Sequence, residues 1–135
     1  MYGLVLEGGG AKGAYHIGAY KAIMDMGIEI GGIAGTSVGA LNGAMLVQGG
    51  YEKAVELWSN MTYSRVIDAS DEAIEKIKKG KLGKEDIINL ADKVKGILND
   101  KGIDITPLRE LLNEVIDEEA IRNSGKDFAI VTVSL

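Results

Sequence analysis

The chain has 135 residues and a formal net charge of −5 at pH 7, a length that suits one domain and a charge that gives no overall attraction to nucleic acid or to anionic lipid. The absence of cysteine excludes disulfide bonds and thiolate metal sites, and it is typical of a reducing compartment. No basic segment opens the chain, so we expect no secretory signal and a cytoplasmic location.

The chain begins with a short apolar segment that is followed by a run of glycines. Residues 2–6 predict a buried strand, and residues 14–26 follow a helical pattern. Glycines between a strand and a helix leave backbone N–H groups open, so these groups can hold a phosphate or stabilise an oxyanion. Residues 8–13 are therefore a candidate anion-binding loop.

The second predicted strand leads into a G-x-S-x-G motif. Residues 30–34 are short and apolar enough for a buried strand, and residues 40–47 predict a helix rich in small side chains. A strand, a sharp turn and a helix are the context in which this motif forms a nucleophile elbow. Ser37 is then the candidate nucleophile, and the alternative is a tight turn without a catalytic role. The remaining elbow residues are Gly35, Thr36, Val38 and Gly39.

The order of these segments brings the two glycine motifs to the same place. A strand-helix-strand unit is expected to be right-handed with parallel strands, so the carboxyl ends of both strands lie at one edge of the sheet. If the strands are neighbours, the loop of residues 8–13 faces Ser37 across that edge. Acyl transfer needs this pairing of a nucleophile with donors for the tetrahedral oxyanion.

The same glycine loop allows a second interpretation as a nucleotide- or phosphate-binding module. Gly8, Gly10 and Gly13 form the G-x-G-x-x-G fingerprint of dinucleotide-binding domains. Such a site also requires an acid at the end of the second strand, where this chain has Thr36 and Ser37. A P-loop is not matched either, because no lysine followed by serine or threonine closes the run.

Together, the two motifs resemble the patatin-like phospholipases, whose signature is G-G-G-x-[KR]-G, then G-x-S-x-G, then a distant D-G-[GA]. Residues 8–13 and 35–39 match the first two elements at every position, and the resemblance is strongest over residues 1–60. It implies a lipid acyl hydrolase of the phospholipase, lysophospholipase or esterase type, with a Ser-Asp dyad and with neither a catalytic histidine nor a metal or other cofactor. It implies Ser37 as the nucleophile, and an oxyanion-hole motif formed by Gly8, Gly9, Gly10, Lys12 and Gly13.

The third element of this signature is missing from the sequence. No aspartate in the 135 residues precedes a glycine, so Ser37 has no recognisable base here. The last segment, residues 127–135, is rich in β-branched side chains and ends without a closing turn. We therefore expect residues 1–135 to be the N-terminal part of a single patatin-like domain, with the dyad aspartate beyond Leu135.

Two long stretches raise the question of membrane contact. Residues 30–47 carry no charge, but their glycines and polar residues favour a buried strand and helix over a membrane span. Residues 62–105 contain apolar residues at helical spacing and a run of lysines. One interpretation is a helical lid over the site, and the other is a set of packed helices with a solvated hinge. Any membrane-surface contact would be local, apolar and transient.

The remaining segments predict further helices. Residues 51–61 fit a helix in which Trp58 is a core or interface residue. Thr106 can cap another helix, with Pro107 at its first position. The apolar residues of that helix recur at helical spacing, at Leu108, Leu111, Leu112 and Val115.

The sequence contains a single histidine, His16. His16 lies early in the first helix, whereas the histidine of an α/β-hydrolase triad comes last in the chain, so His16 is expected to be a helix residue near the glycine loop. No cluster of ligands at metal-binding spacing is present in the sequence.

The predicted fold is α/β, a three-layer sandwich with a mostly parallel sheet. The expected partner is a lipid or acyl-ester substrate, without nucleic acid, and the sequence does not define an oligomeric state.

Overall fold

The structure is a computed structural model that describes residues 1–61 and 106–133. The chain forms two compact units, one made of Met1–Asn60 with Val115–Leu135 and the other of Met61–Glu114. The predicted lid or hinge of residues 62–105 lies outside the described residues, and it stays a prediction.

The first unit carries strands and helices in alternation, and both glycine motifs lie in it. Its elements in chain order are β1 (Tyr2–Leu6), a 3₁₀ turn (Gly10–Lys12), α1 (Gly13–Asp25), β2 (Ile30–Thr36), α2 (Val38–Val47) and α3 (Tyr51–Ser59). After helix α4 (Thr106–Val115), most of which belongs to the second unit, the first unit resumes with α5 (Glu118–Asn123) and β3 (Asp127–Val131).

The described strands form a parallel sheet in the order β1-β2-β3. Leu4 of β1 pairs with Ile33 of β2, which in turn pairs with Phe128 of β3. Parallel strands require crossover connections, and α1 makes the connection between β1 and β2. The carboxyl ends of β1 and β2 therefore lie side by side, since Leu6 pairs with Gly35.

Helix α2 covers one face of the sheet and supplies much of the core. Met45, Leu46 and Val47 are almost completely buried. A β-carbon at Gly43 would lie 3.1 Å from Ile33 Cγ2 and 3.0 Å from Phe128 Cε2, so the absence of a side chain lets α2 approach the strands closely. The sequence predicted a helix rich in small side chains here, and the close approach of α2 to the sheet explains why they are small.

The side chains of each strand alternate between the two faces of the sheet. Residues 2–6 were predicted to form a buried strand, but in the described part of the chain only Leu6 of β1 is buried, and the preceding residue, Val5, is 81% exposed. Val5 pairs with Ala34, which pairs with Ala129. The side chains of these three residues therefore lie on the face of the sheet opposite to α2.

The α/β class and the parallel sheet predicted from the sequence are confirmed. The uncharged residues 30–47 divide into β2 and α2, as predicted. Over residues 1–61 and 106–133, no helix has both the length and the apolar character needed to cross a membrane.

Several boundaries differ from the prediction by one or two residues, and β3 ends at Val131. Helix α4 begins at Thr106, and of its predicted apolar residues Leu111 and Val115 are buried. Helix α5 was not predicted as a separate element. Its start is set by Asp117, whose carboxylate accepts a hydrogen bond from Ala120 N at 2.9 Å, an N-cap interaction.

Candidate active site

Ser37 lies at the junction between β2 and α2 in a strained backbone conformation. Its φ is 52° and its ψ is −127°, and among the described residues it is the only one other than glycine with a positive φ. This conformation is unfavourable for a residue with a side chain and costs about 1–3 kcal/mol. Strain of this kind is typical of a nucleophile elbow, where the turn between strand and helix presents the serine.

The hydroxyl of Ser37 does not cap the helix that follows it. Ser37 occupies the N-cap position of α2, and its carbonyl accepts hydrogen bonds from Ala40 N at 2.9 Å and Leu41 N at 3.3 Å. A serine at an N-cap ordinarily has an extended backbone and uses its side chain to accept from the first turn. Ser37 has neither property, and it is exposed. A simple capping role therefore does not explain this serine.

The two glycines that flank the serine are required by close packing. A β-carbon at Gly35 would overlap the carbonyl of Gly39, and a β-carbon at Gly39 would overlap the carbonyl of Leu6. The first residues of α2 are thus pressed against the end of β2 and the end of β1. Any larger residue at either position would have to move the helix that carries Ser37.

The glycine loop lies beside Ser37, as the βαβ order predicted. A β-carbon at Gly8 would be 3.2 Å from Ser37 Cβ and 3.7 Å from Thr36 Cγ2. Gly9 and Gly10 follow with φ values of 154° and 55°, which side chains rarely adopt. The chain then turns through Lys12, whose N–H donates to Gly9 O at 3.2 Å, and enters α1 at Gly13. The structure therefore brings both motifs together, and the role of the loop amides as oxyanion donors stays a prediction.

A buried amide joins the loop to the helices behind it. Asn42 of α2 is 0% exposed, and its Nδ2 donates to the carbonyl of Gly13 at 2.8 Å. The Oδ1 of Asn42 accepts a hydrogen bond from Trp58 Nε1 of α3 at 2.8 Å. Trp58 was predicted to be a core or interface residue, whereas no role was predicted for Asn42. The sequence feature that could have indicated a role for Asn42 is that it is the single polar side chain among the otherwise apolar residues 40–47.

His16 contacts this amide, and it lies near the glycine loop as predicted. The Nδ1 of His16 is 3.3 Å from Asn42 Nδ2, so its Nδ1 can accept the second N–H of the amide. His16 is half-buried on the first turns of α1, one turn from Gly13.

An open groove of about 700 Å³ runs beside the glycine loop between β1 and α1. Most of its surface is apolar. Its walls are formed by Leu4, Val5, Leu6, Glu7, Ala11, Lys12, Tyr15, His16, Ala19 and Tyr20. An extended apolar group could occupy this groove with its polar end at the loop.

The end of β2 carries no acid of the kind that holds a nucleotide ribose. The strand ends at Thr36, whose hydroxyl donates to Val131 O at 3.1 Å and so ties β2 to β3. The position next to it is occupied by Ser37. The strand end therefore lacks the acid that the dinucleotide interpretation requires, and β2 is followed by the strained turn at Ser37.

A family model described as patatin-like phospholipase matches residues 4–134. The protein named neuropathy target esterase sws from Drosophila persimilis is 60% identical over 43 residues, which are 32% of this chain and 3% of that protein. The protein of the same name from Drosophila melanogaster is 58% identical over 43 residues, again 32% of this chain and 3% of the relative.

The chain thus matches only a small part of the length of these relatives. No solved structure matches it. The family model, in contrast, spans almost the whole chain and includes the strained serine, the glycine loop and the parallel sheet. The chain belongs to the patatin-like phospholipase family.

Proposed function

We propose that this chain carries the nucleophile and the oxyanion loop of a serine hydrolase that cleaves acyl esters of lipids. The observation that carries the proposal is the backbone of Ser37, which holds a positive φ at a strand-to-helix turn directly beside Gly8. Neither a capping role nor a tight turn by itself requires a strained serine in contact with a glycine loop. A nucleophile that must reach a substrate carbonyl does require such a position.

The chemistry follows from the placement of these groups. Ser37 Oγ would attack the ester carbonyl carbon and form a tetrahedral intermediate with a negatively charged oxygen. Backbone N–H groups of the loop at Gly8, Gly9 and Gly10 would stabilise that oxygen, with Lys12 and Gly13 completing the motif. Collapse of the intermediate would release the alcohol and leave an acyl-serine ester, which water would then hydrolyse. No metal or organic cofactor takes part in these steps.

The serine proton needs an acceptor, because the hydroxyl is a weak nucleophile until a base takes that proton. In the patatin-like signature this base is the aspartate of D-G-[GA], a motif that the 135 residues do not contain. We propose that the base is an aspartate outside these residues. His16 is not the proposed base, because the patatin-like signature pairs the serine with an aspartate and because the histidine of an α/β-hydrolase triad follows the serine in the chain, whereas His16 precedes Ser37.

The groove supports a lipid as the source of the acyl group. Its apolar walls between β1 and α1 could hold an acyl chain while the ester lies at the glycine loop. The net charge of −5 gives no general attraction to an anionic bilayer, so we expect a transient and largely apolar contact with the membrane surface. The relatives that match this chain are named esterases, which is the reaction class proposed here.

The decisive experiment is labelling of the full-length protein with a fluorophosphonate probe, which reacts only with an activated serine. We expect one labelled residue, Ser37, and we expect Ser37→Ala to abolish both labelling and hydrolysis of short acyl esters and lysophospholipids. Ser59, on α3, offers a matched control: its hydroxyl donates to Val55 O at 2.8 Å, and Ser59→Ala should leave labelling unchanged. A folded protein that is not labelled, but that binds inorganic phosphate or a dinucleotide, would favour the phosphate-binding alternative.

A further inference from the structure

Asn42 joins three segments of the chain at the back of the site. It lies on α2, the helix that begins directly after Ser37, and it is 0% exposed. One side of its amide contacts Gly13, where the glycine loop becomes α1, and the other contacts Trp58 on α3. The described part of the chain leaves no buried side-chain nitrogen or oxygen without a hydrogen-bond partner, and both polar atoms of this amide are hydrogen-bonded.

The chemistry of the partners defines the orientation of the amide. The indole Nε1 of Trp58 can only donate, so it must face Oδ1, and the carbonyl of Gly13 can only accept, so it must face Nδ2. The two hydrogen bonds are each 2.8 Å long. Among side chains of this size, only asparagine supplies both an acceptor and a donor in this arrangement. An aspartate would place a carboxylate oxygen against the Gly13 carbonyl.

Gly13 is also packed closely against the side chains of Trp58 and Val38. A β-carbon there would lie 2.6 Å from Trp58 Cζ2 and 2.6 Å from Val38 Cγ2. Val38 is the residue that follows Ser37, so the end of the glycine loop is packed directly against the elbow. This packing restricts the position of the Gly13 Cα. The hydrogen bond from Asn42 also fixes the orientation of the Gly13 carbonyl.

We infer that Asn42, oriented by Trp58, is a positioning residue that sets the glycine loop relative to Ser37. The inference rests on the proposed hydrolase function, because it concerns the distance between the oxyanion donors and the nucleophile. A displacement of the donors by 1 Å can lower a rate by about a hundredfold, whereas substrate binding elsewhere is affected much less. The effect of losing the Asn42 donor should therefore fall on kcat rather than on KM.

The chain offers a matched control for this test. Gln48, at the other end of α2, donates from Nε2 to Val115 O at 2.8 Å and accepts at Oε1 from Asp117 N at 2.9 Å. Gln48→Glu thus removes the same kind of donor and retains the same kind of acceptor as Asn42→Asp. In these hydrogen bonds Gln48 contacts neither the glycine loop nor the turn at Ser37. Gln48→Glu therefore shows how much activity is lost through lower stability alone, without a displaced glycine loop.

The experiment measures ester hydrolysis and the rate of fluorophosphonate labelling in the full-length protein, scaled to the folded fraction. Asn42→Asp is expected to lower kcat and the labelling rate about tenfold to a hundredfold, with KM within about threefold of the wild type. Gln48→Glu is expected to retain kcat within about twofold, even if its melting temperature falls. A wild-type kcat in folded Asn42→Asp, or an equal loss in Gln48→Glu, would overturn the inference.

If Asn42→Asp does not fold, Trp58→Phe provides the second variant, since it removes the N–H that orients the amide. We expect a loss of labelling rate of about tenfold, and an unchanged rate would again overturn the inference. Ser37→Ala separates this result from the proposed function itself. Labelling of wild-type Ser37 together with normal rates in Asn42→Asp refutes only the positioning role, whereas a folded wild type that is not labelled, or labelling that persists in Ser37→Ala, refutes the proposed role of Ser37.

Discussion

Gly39 of α2 lies directly against the carbonyl oxygen of Leu6, the last residue of β1, so closely that a β-carbon on Gly39 would overlap it. The same β-carbon would lie 2.6 Å from the carbonyl oxygen of Glu7. The start of the serine-bearing helix is therefore packed on the residues that lead into the glycine loop. The two motifs are held together by backbone contact as well as by side chains.

This contact predicts that Gly39→Ala is strongly destabilising. The added methyl group meets backbone carbonyls rather than a flexible side chain, so either the helix or β1 has to move, and we expect a loss of about 3 kcal/mol in the free energy of unfolding. Gly18→Ala is the control, because Gly18 is an exposed residue within α1 with nothing within 4 Å of its β-carbon position. It should increase stability by about 0.5–1 kcal/mol. Urea denaturation of both variants tests the prediction, and equal stabilities would contradict it.

The strain at Ser37 predicts an unusually large difference between two variants. Ser37→Gly should be more stable than Ser37→Ala by about 2 kcal/mol, because glycine adopts a positive φ without a steric penalty and alanine does not. An ordinary helix N-cap position favours glycine over alanine by only about 0.5–1 kcal/mol. Thermal unfolding of both proteins gives the comparison. An alanine variant that is as stable as the glycine variant would mean that the backbone at this residue relaxes.

His16 provides a test of the dyad against a triad. Because the proposed Ser-Asp dyad needs no imidazole, we expect His16→Ala to retain most of the esterase activity, within about threefold of the wild type. Asn42 keeps its shorter hydrogen bonds to Gly13 and Trp58 in this variant. The measurement is ester hydrolysis by the full-length protein beside Ser37→Ala. A loss in His16→Ala as large as that in Ser37→Ala would indicate a triad instead.

Residues 1–135 by themselves are expected to be a poor esterase. Without the aspartate of D-G-[GA], the proton of Ser37 lacks the proposed acceptor, and only the residual catalysis of the oxyanion hole and of binding remains. We expect a kcat lower by about three orders of magnitude or more than that of the full-length protein. Circular dichroism confirms folding of the 135-residue chain, and ester turnover is then compared. Comparable rates would place the base within these residues.

Much of the fold could be predicted from the sequence because the patterns involved are local. The apolar residues 2–6 and 30–34 predicted two of the strands, and the right-handed crossover rule predicted that they run parallel. The glycines at 35 and 39 predicted a tight strand-to-helix turn, and the matching family model confirms the family that the two motifs indicated. Helix α5 was missed because its start depends on a single capping residue, Asp117, rather than on a long apolar pattern.

The sequence by itself thus determined the order of the first strands and helices, their parallel pairing and the identity of the candidate nucleophile, since each depends on neighbouring residues or on general rules of chirality. Only the tertiary structure decided the positive φ of Ser37, the contact of Gly8 with that serine, and the joining of Gly13, Asn42 and Trp58. These features connect residues far apart in the chain, and a buried amide finds its partners only after helices α1, α2 and α3 have packed together. The reason is physical: strain and buried hydrogen bonds persist only where packing from several elements holds them.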